Sequence, residues 1–266
     1  MDFWIAFPQS WFHAERNRTE EQGMADFVLI PGMCHGGWCF DALAEQLRQH
    51  GHRVHALTLT GLSERADQLT STVNLDTHIQ DVVDVLVTEQ IEDAVLVGHS
   101  YGGMVVSGVA DRVPERVDSL VYLDAVVPDD GDSCWSLVPD EREWYLDVGE
   151  TGYAVPSLPF FDPRATAHPL ASLLQRIRLT GDAGRFRRRE YVYATLWDGR
   201  SPFASTYQRL REDPTWTVHA LESRHNLMRD VPDDLVKILL QSLEEPARPA
   251  GRQERIGSDE AEGSRP

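Results

Sequence analysis

The run Gly98-His99-Ser100-Tyr101-Gly102-Gly103 follows an apolar, β-branched stretch, Ala94-Val-Leu-Val97, and leads straight into the helix-like Met104 to Ala110. A serine set between glycines at a strand-to-helix corner is placed to attack a carbonyl carbon. The sharp turn forces the serine into a strained backbone conformation, and side chains two residues before and after it would collide, so glycine is needed at both places. The hydroxyl is left above the strand ends, where amides at a helix N-terminus face a developing oxyanion. A serine hydroxyl also needs a base. His225, in Ser223-Arg224-His225-Asn226-Leu227, is the best candidate, on a loop between the last strand-like run and the last helical one.

The base in turn needs an acid to fix its tautomer, and two aspartates lie at the carboxyl ends of strand-like runs. Asp198 stands in Leu196-Trp197-Asp198-Gly199, and Asp124 in Tyr122-Leu123-Asp124-Ala125. Either could serve; chain order favours Asp198 and leaves Asp124 as a capping or loop-ordering acid. A second glycine-rich turn, Pro31-Gly32-Met33-Cys34-His35-Gly36-Gly37-Trp38, brings backbone beside the serine, so the amides of Met33 and Tyr101 are the expected oxyanion donors. Its glycine spacing fits neither a dinucleotide fingerprint nor a phosphate loop, and the chain's single lysine is Lys237. No histidine spacing suggests a metal site.

Six short β-branched runs have to position these groups: 27–30, 54–59, 94–97, 119–123, 191–196 and 216–220. Helical patterns alternate with them, which is the signature of a parallel sheet with crossover helices. Phe40 to Gln49 reads as one helix, Thr77-x-x-Gln80 as a capping box opening another through Val87, and Leu235, Ile238, Leu239 and Leu243 as the stripe of a last helix after Pro232. The stretch from about 127 to 189 is too long for a plain loop. Two apparent helical pieces, Ser133–Val148 and Ala165–Leu179, flank a Pro-rich break there, so it reads as a helical cap inserted between two strands. Residues 1–23 and 246–266 read as a disordered extension and tail around a single unit, 24–245.

The 266 residues carry 25 Lys+Arg against 43 Asp+Glu, a formal net charge of -18. Such a field repels phosphate backbones and anionic membranes, so nucleic-acid and membrane partners are not expected. No apolar run is long enough to span a bilayer and no secretory leader is evident, which points to a cytoplasmic protein. Cys34, Cys39 and Cys134 lack a Cys-x-x-Cys pair and read as free thiols.

Over about residues 25–243 the motifs resemble the α/β-hydrolase superfamily, and more narrowly its branch of plant methylesterases, hydroxynitrile lyases and related bacterial esterases. Cys34-His35-Gly36-Gly37-Trp38, Gly51-His52-Arg53-Val54 leading to Leu59-Thr60-Gly61, the Ser100 elbow and His225 carry the likeness. The resemblance implies a Ser100-His225-Asp198 triad under a cap, acting on small, largely apolar esters without a cofactor. Two positions depart from the branch: Pro31-Gly32 replaces its usual His-Gly, and Asn226 stands where its lyases carry a lysine after the histidine. The expected activity is therefore carboxylic ester hydrolysis on a small-molecule substrate, with Trp38 and Trp135 in the pocket. Lyase or polyketide-tailoring chemistry and slow-turnover ligand binding are the alternatives, and a homodimer is the one assembly entertained.

Overall fold

The computed structural model describes residues 23–181 and 186–244. The expected tail 246–266, and the expected extension 1–23 apart from Gly23, lie outside the described residues. Six strands form one all-parallel sheet: β1 (Asp26–Ile30), β2 (Arg53–Ala56), β3 (Ala94–His99), β4 (Val117–Leu123), β7 (Arg188–Ala194) and β8 (Thr217–Leu221), in the order β2-β1-β3-β4-β7-β8. A separate two-residue antiparallel pair, β5 (Ala154–Val155) with β6 (His168–Pro169), lies between β4 and β7 in the chain. Alternation along β1 shows why the sheet is buried on both sides. Val28 and Ile30 join one apolar cluster, and Phe27 and Leu29 join the other.

Helices α1 (Asp41–Gln49), α2 (Leu75–Thr88) and α3 (Gly102–Arg112) follow β1, β2 and β3 respectively in crossover fashion. Helix α2 starts earlier than its sequence suggested. Asn74, not Thr77, is its cap: the Asn74 Oδ1 accepts from the Thr77 amide at 3.0 Å and the Thr77 hydroxyl accepts from the Asn74 amide at 3.3 Å. The segment between β4 and β7 is also less helical than expected. It holds α4 (Cys134–Leu137), α5 (Arg142–Tyr145) and α6 (Leu170–Leu174), with a 3₁₀ turn over Pro139–Glu141. Pro139 has no amide to continue α4, and Pro169 lies in β6 immediately before α6, so the prolines cut both expected helices short. Last come α7 (Ala204–Glu212), which the sequence reading missed, α8 (Leu227–Asp230) and α9 (Pro232–Glu244), which opens on its proline. Among the described residues no helix is long and apolar enough to cross a membrane.

Sheet order fixes where a site can form. The chain leaves β1 for β2 on one side and returns to β3 on the other, so the carboxyl ends of β1 and β3 diverge into a crevice. Ile30 pairs with Gly98 and His99 with Leu123, which sets the turns after β1, β3 and β4 side by side.

Candidate active site

Ser100 follows β3 with φ of 54°, a left-handed value that costs a non-glycine residue about 1–2 kcal/mol. The surroundings hold it there. Its amide donates to the Leu123 carbonyl at 3.2 Å, and its own carbonyl accepts from the Val126 and Gly103 amides at 3.2 and 3.1 Å. The flanking glycines are needed for space: a Cβ on Gly98 would lie 2.6 Å from Val106 Cγ2, and one on Gly102 would lie 2.6 Å from the Ile30 carbonyl oxygen. Ser100 therefore sits between the end of β1 and the start of α3.

His225 stands on the loop between β8 and α8, and its Nδ1–H donates to Asp124 Oδ2 at 2.8 Å. That leaves Nε2 as the free lone pair of the ring. Phe203 stacks on the imidazole at 5.4 Å with an interplanar angle of 11°, and Trp197 and His99 close other sides at 5.0 and 4.4 Å. His99 Nε2–H also donates to the His225 carbonyl at 2.9 Å, tying the histidine loop to the residue before Ser100. Burial first, and the neighbouring His225 and His35 next, push the His99 imidazole well below its ordinary range, so it is neutral.

The carboxylate that meets His225 differs from the one favoured by chain order. Asp124 is fully buried at the end of β4, with φ of 43°, and accepts from three donors: His225 Nδ1, Trp197 Nε1 at 3.1 Å and the Ala194 amide at 3.3 Å. Asp198 does not meet His225. Its side chain is 92% exposed and its nearest cation is Arg224, at 4.0 Å. The physical reason is distance from the sheet: Asp124 directly follows a strand adjacent to β3, whereas Asp198 lies four residues beyond the end of β7. The same loop does reach the site, through Trp197.

The turn after β1 approaches from the other side. A Cβ on Gly32 would lie 2.9 Å from both Ser100 Cβ and His99 Nδ1, so only glycine lets this backbone so close. Among the described residues, no protein acceptor takes up the amide of Met33 or of Tyr101. The Met33 carbonyl is held by His35 Nδ1–H at 2.7 Å. Cys34 has φ of 67° and a buried thiol pushed up to about 12, chiefly by desolvation, so it is a packing group rather than a nucleophile.

Trp38 donates to Ser63 Oγ at 2.7 Å, lies 4.2 Å beneath the Arg164 guanidinium and lines a cavity of about 180 Å³ with His35, Asn226 and Met228. Trp135 instead packs in the cap beside Arg142. Sequence reading missed Glu141. Tyr145 O–H donates to its Oε2 at 2.7 Å, and the carboxyl is raised chiefly by burial while sensing His225. A polar run, Asp140-Glu141-Arg142-Glu143, gave no signal that one of its members turns inward. Among the described residues no group of three or more His, Cys, Asp or Glu could hold a metal ion.

Comparison with known proteins accords with this architecture. The chain is 36% identical to a carbendazim hydrolyzing esterase of Nocardioides sp., over 81% of this chain and 98% of that one. It is 31% identical to salicylic acid-binding protein 2 of Nicotiana tabacum, over 55% of this chain and 60% of the other. The crystal structure of a pyrethroid hydrolase from Sphingobium faniae superposes with a TM-score of 0.69 at 23% identity, covering 84% of this chain and 99% of that one. The profile of the alpha/beta hydrolase family matches residues 27–256, and the chain belongs to that family.

Proposed function

We propose that the protein is a serine carboxylesterase whose triad is Ser100, His225 and Asp124. The contact that carries this reading is the 2.8 Å hydrogen bond from His225 Nδ1 to the buried Asp124 carboxylate, on a loop that His99, the residue before a serine at φ of 54°, holds through the His225 carbonyl. Nε2 takes the proton of Ser100 Oγ as the oxygen attacks the ester carbonyl, and Asp124 stabilises the imidazolium that forms. The carbonyl oxygen becomes an oxyanion facing the Met33 and Tyr101 amides. His225 then protonates the departing alkoxide, and water, deprotonated by the same nitrogen, releases the acid from Ser100. The relatives named for esterase and hydrolase activity support this chemistry, and the substrate class we infer is small, largely apolar esters, with Trp38 and Met228 as apolar members of the cavity beside His35 and Asn226.

The test is hydrolysis of p-nitrophenyl acetate and longer p-nitrophenyl esters by wild type and Ser100→Ala, with intact mass spectrometry for an acyl-enzyme. Turnover, or an acyl mass absent from the folded variant, is the expected result. A Ser100→Ala protein that hydrolyses the esters at the wild-type rate would sink the assignment.

A further inference from the structure

Cys34 follows Met33, and both of its backbone groups are taken by the segment between β4 and β7. Its amide donates to His168 Nδ1 at 3.3 Å, and its carbonyl accepts from the Thr166 amide at 3.0 Å. Thr166 is itself fastened, its hydroxyl accepting from the Ser63 amide at 2.7 Å. A non-glycine residue at φ of 67° needs such external constraint to stay in place.

His168 is built for this contact. It is fully buried, and its Nε2 lies 2.9 Å from Ser172 Oγ, whose own proton goes to the Pro169 carbonyl at 2.8 Å. Ser172 must therefore accept from Nε2–H, which leaves Nδ1 as the lone pair that receives the Cys34 amide. The same ring meets that of Tyr101 in a T-shaped contact at 4.7 Å, and the Tyr101 hydroxyl is anchored to His78 Nδ1 at 2.8 Å. One imidazole thus touches the neighbour of one oxyanion donor and the side chain of the other.

We propose that His168 is a positioning residue that sets the Met33 and Tyr101 amides at the spacing an oxyanion requires, so that the segment between β4 and β7 completes the oxyanion hole. This rests on the serine-esterase reading. It predicts that loss of His168 weakens transition-state binding and leaves ground-state binding alone.

The experiment compares His168→Ala, His168→Asn and Ser172→Ala with wild type, each checked for folding by near-UV circular dichroism. The readouts are kcat and KM for p-nitrophenyl butyrate and the inhibition constant of a phenylalkyl trifluoromethyl ketone. In that adduct Ser100 Oγ bonds the ketone carbon, its proton passes to His225, and the ketone oxygen becomes the oxyanion. His168→Ala should lower kcat about 10- to 100-fold, leave KM within twofold and weaken the ketone by the same factor as kcat. Asn, whose Oδ1 can accept the Cys34 amide, should recover most of the loss. Ser172→Ala, which frees the tautomer while disturbing little volume, should show the same pattern in milder form and decides the matter if the alanine variant does not fold. Unchanged kcat and ketone affinity in folded variants, or Asn no better than Ala, would overturn the proposal. A fully active Ser100→Ala would instead overturn the reading beneath it.

Discussion

Replacing Asp124 by Asn should abolish activity far more than it harms the fold, and Asp198→Asn should do neither. Asp124 Oδ2 now receives His225 Nδ1–H at 2.8 Å and Trp197 Nε1–H at 3.1 Å, while Oδ1 receives the Ala194 amide at 3.3 Å. An asparagine has one acceptor oxygen for these three donors. If that oxygen takes the Oδ1 position beside the Ala194 amide, the NH₂ takes the Oδ2 position and faces both His225 and Trp197, so the ring must present Nδ1 as an acceptor, moving its proton to Nε2. A protonated Nε2 cannot take the serine proton. The same substitution in other Ser-His-Asp triads lowers kcat about 10⁴-fold, or about 5.5 kcal/mol in the barrier. The cost to folding is smaller, about 1–3 kcal/mol, because the Ala194 amide keeps its acceptor, the ring accepts from the NH₂, and only the Trp197 indole N–H is left without an acceptor. Asp198 is 92% exposed and its Arg224 partner is 70% exposed, so its removal should leave rate and denaturation midpoint near wild type. The assay is kcat/KM for p-nitrophenyl butyrate, with urea unfolding on the same preparations. Asp124→Asn retaining more than a tenth of wild-type kcat, or Asp198→Asn losing a hundredfold, would refute the geometry as the source of activity.

Acid should destabilise the fold through its buried imidazoles. His78 is lowered to about 4 from an ordinary 6.5 by burial, so in the unfolded chain it binds a proton first as pH falls; its contribution is intact above 6.5, is down by about 2 kcal/mol at pH 5 and is lost towards pH 4. His99 and His168 shift in the same direction, so urea midpoints at pH 7.5 and 5 should differ by more than His78 alone supplies, and equal midpoints would contradict this. Gly102→Ala places a Cβ 2.6 Å from the Ile30 carbonyl oxygen, so it should shift the elbow and cut kcat at least about a hundredfold, measured on the p-nitrophenyl esters. Tyr145→Phe removes the hydroxyl that donates to Glu141 at 2.7 Å and should cost about 1–3 kcal/mol in urea unfolding. Adding Glu141→Gln should restore part of that stability, since the amide leaves no buried charge.

Local chemistry made the sheet legible, and with it the candidate nucleophile and base, because each is written in a short segment. A β-branched run followed by Gly-x-Ser-x-Gly carries its own geometry, and all six strand-like runs became strands of one parallel sheet. The candidate acid was harder. Asp124 and Asp198 both follow strands, and the choice between them depends on which strand lies beside β3, a fact of sheet order rather than of chain order. In Trp197-Asp198 it was the tryptophan that turned inward, and its indole now serves the other aspartate. The cap was the least legible part. Its amphipathic patterns invited long helices, but Pro139 and Pro169 removed the amides those helices needed, and the residues so displaced fasten the turn after β1.

The charge state of the surroundings gives this site its direction. His99 and His35 have rings near His225, and burial keeps both below their ordinary range. Each also spends its donor on a backbone carbonyl, His99 on that of His225 and His35 on that of Met33. In the proposed mechanism a positive charge must appear on one imidazole when Ser100 attacks, and a second cationic ring nearby would oppose it. Of these three rings, His225 alone donates to a carboxylate, and that carboxylate is fully buried, where its field is least screened. The neutral rings thus act twice, as fasteners of the two loops and as uncharged neighbours that leave the proton of Ser100 one place to go. The folding penalty of keeping them neutral falls on the acid side, which is why loss of stability should set in as pH drops below 6.5, the ordinary value for histidine.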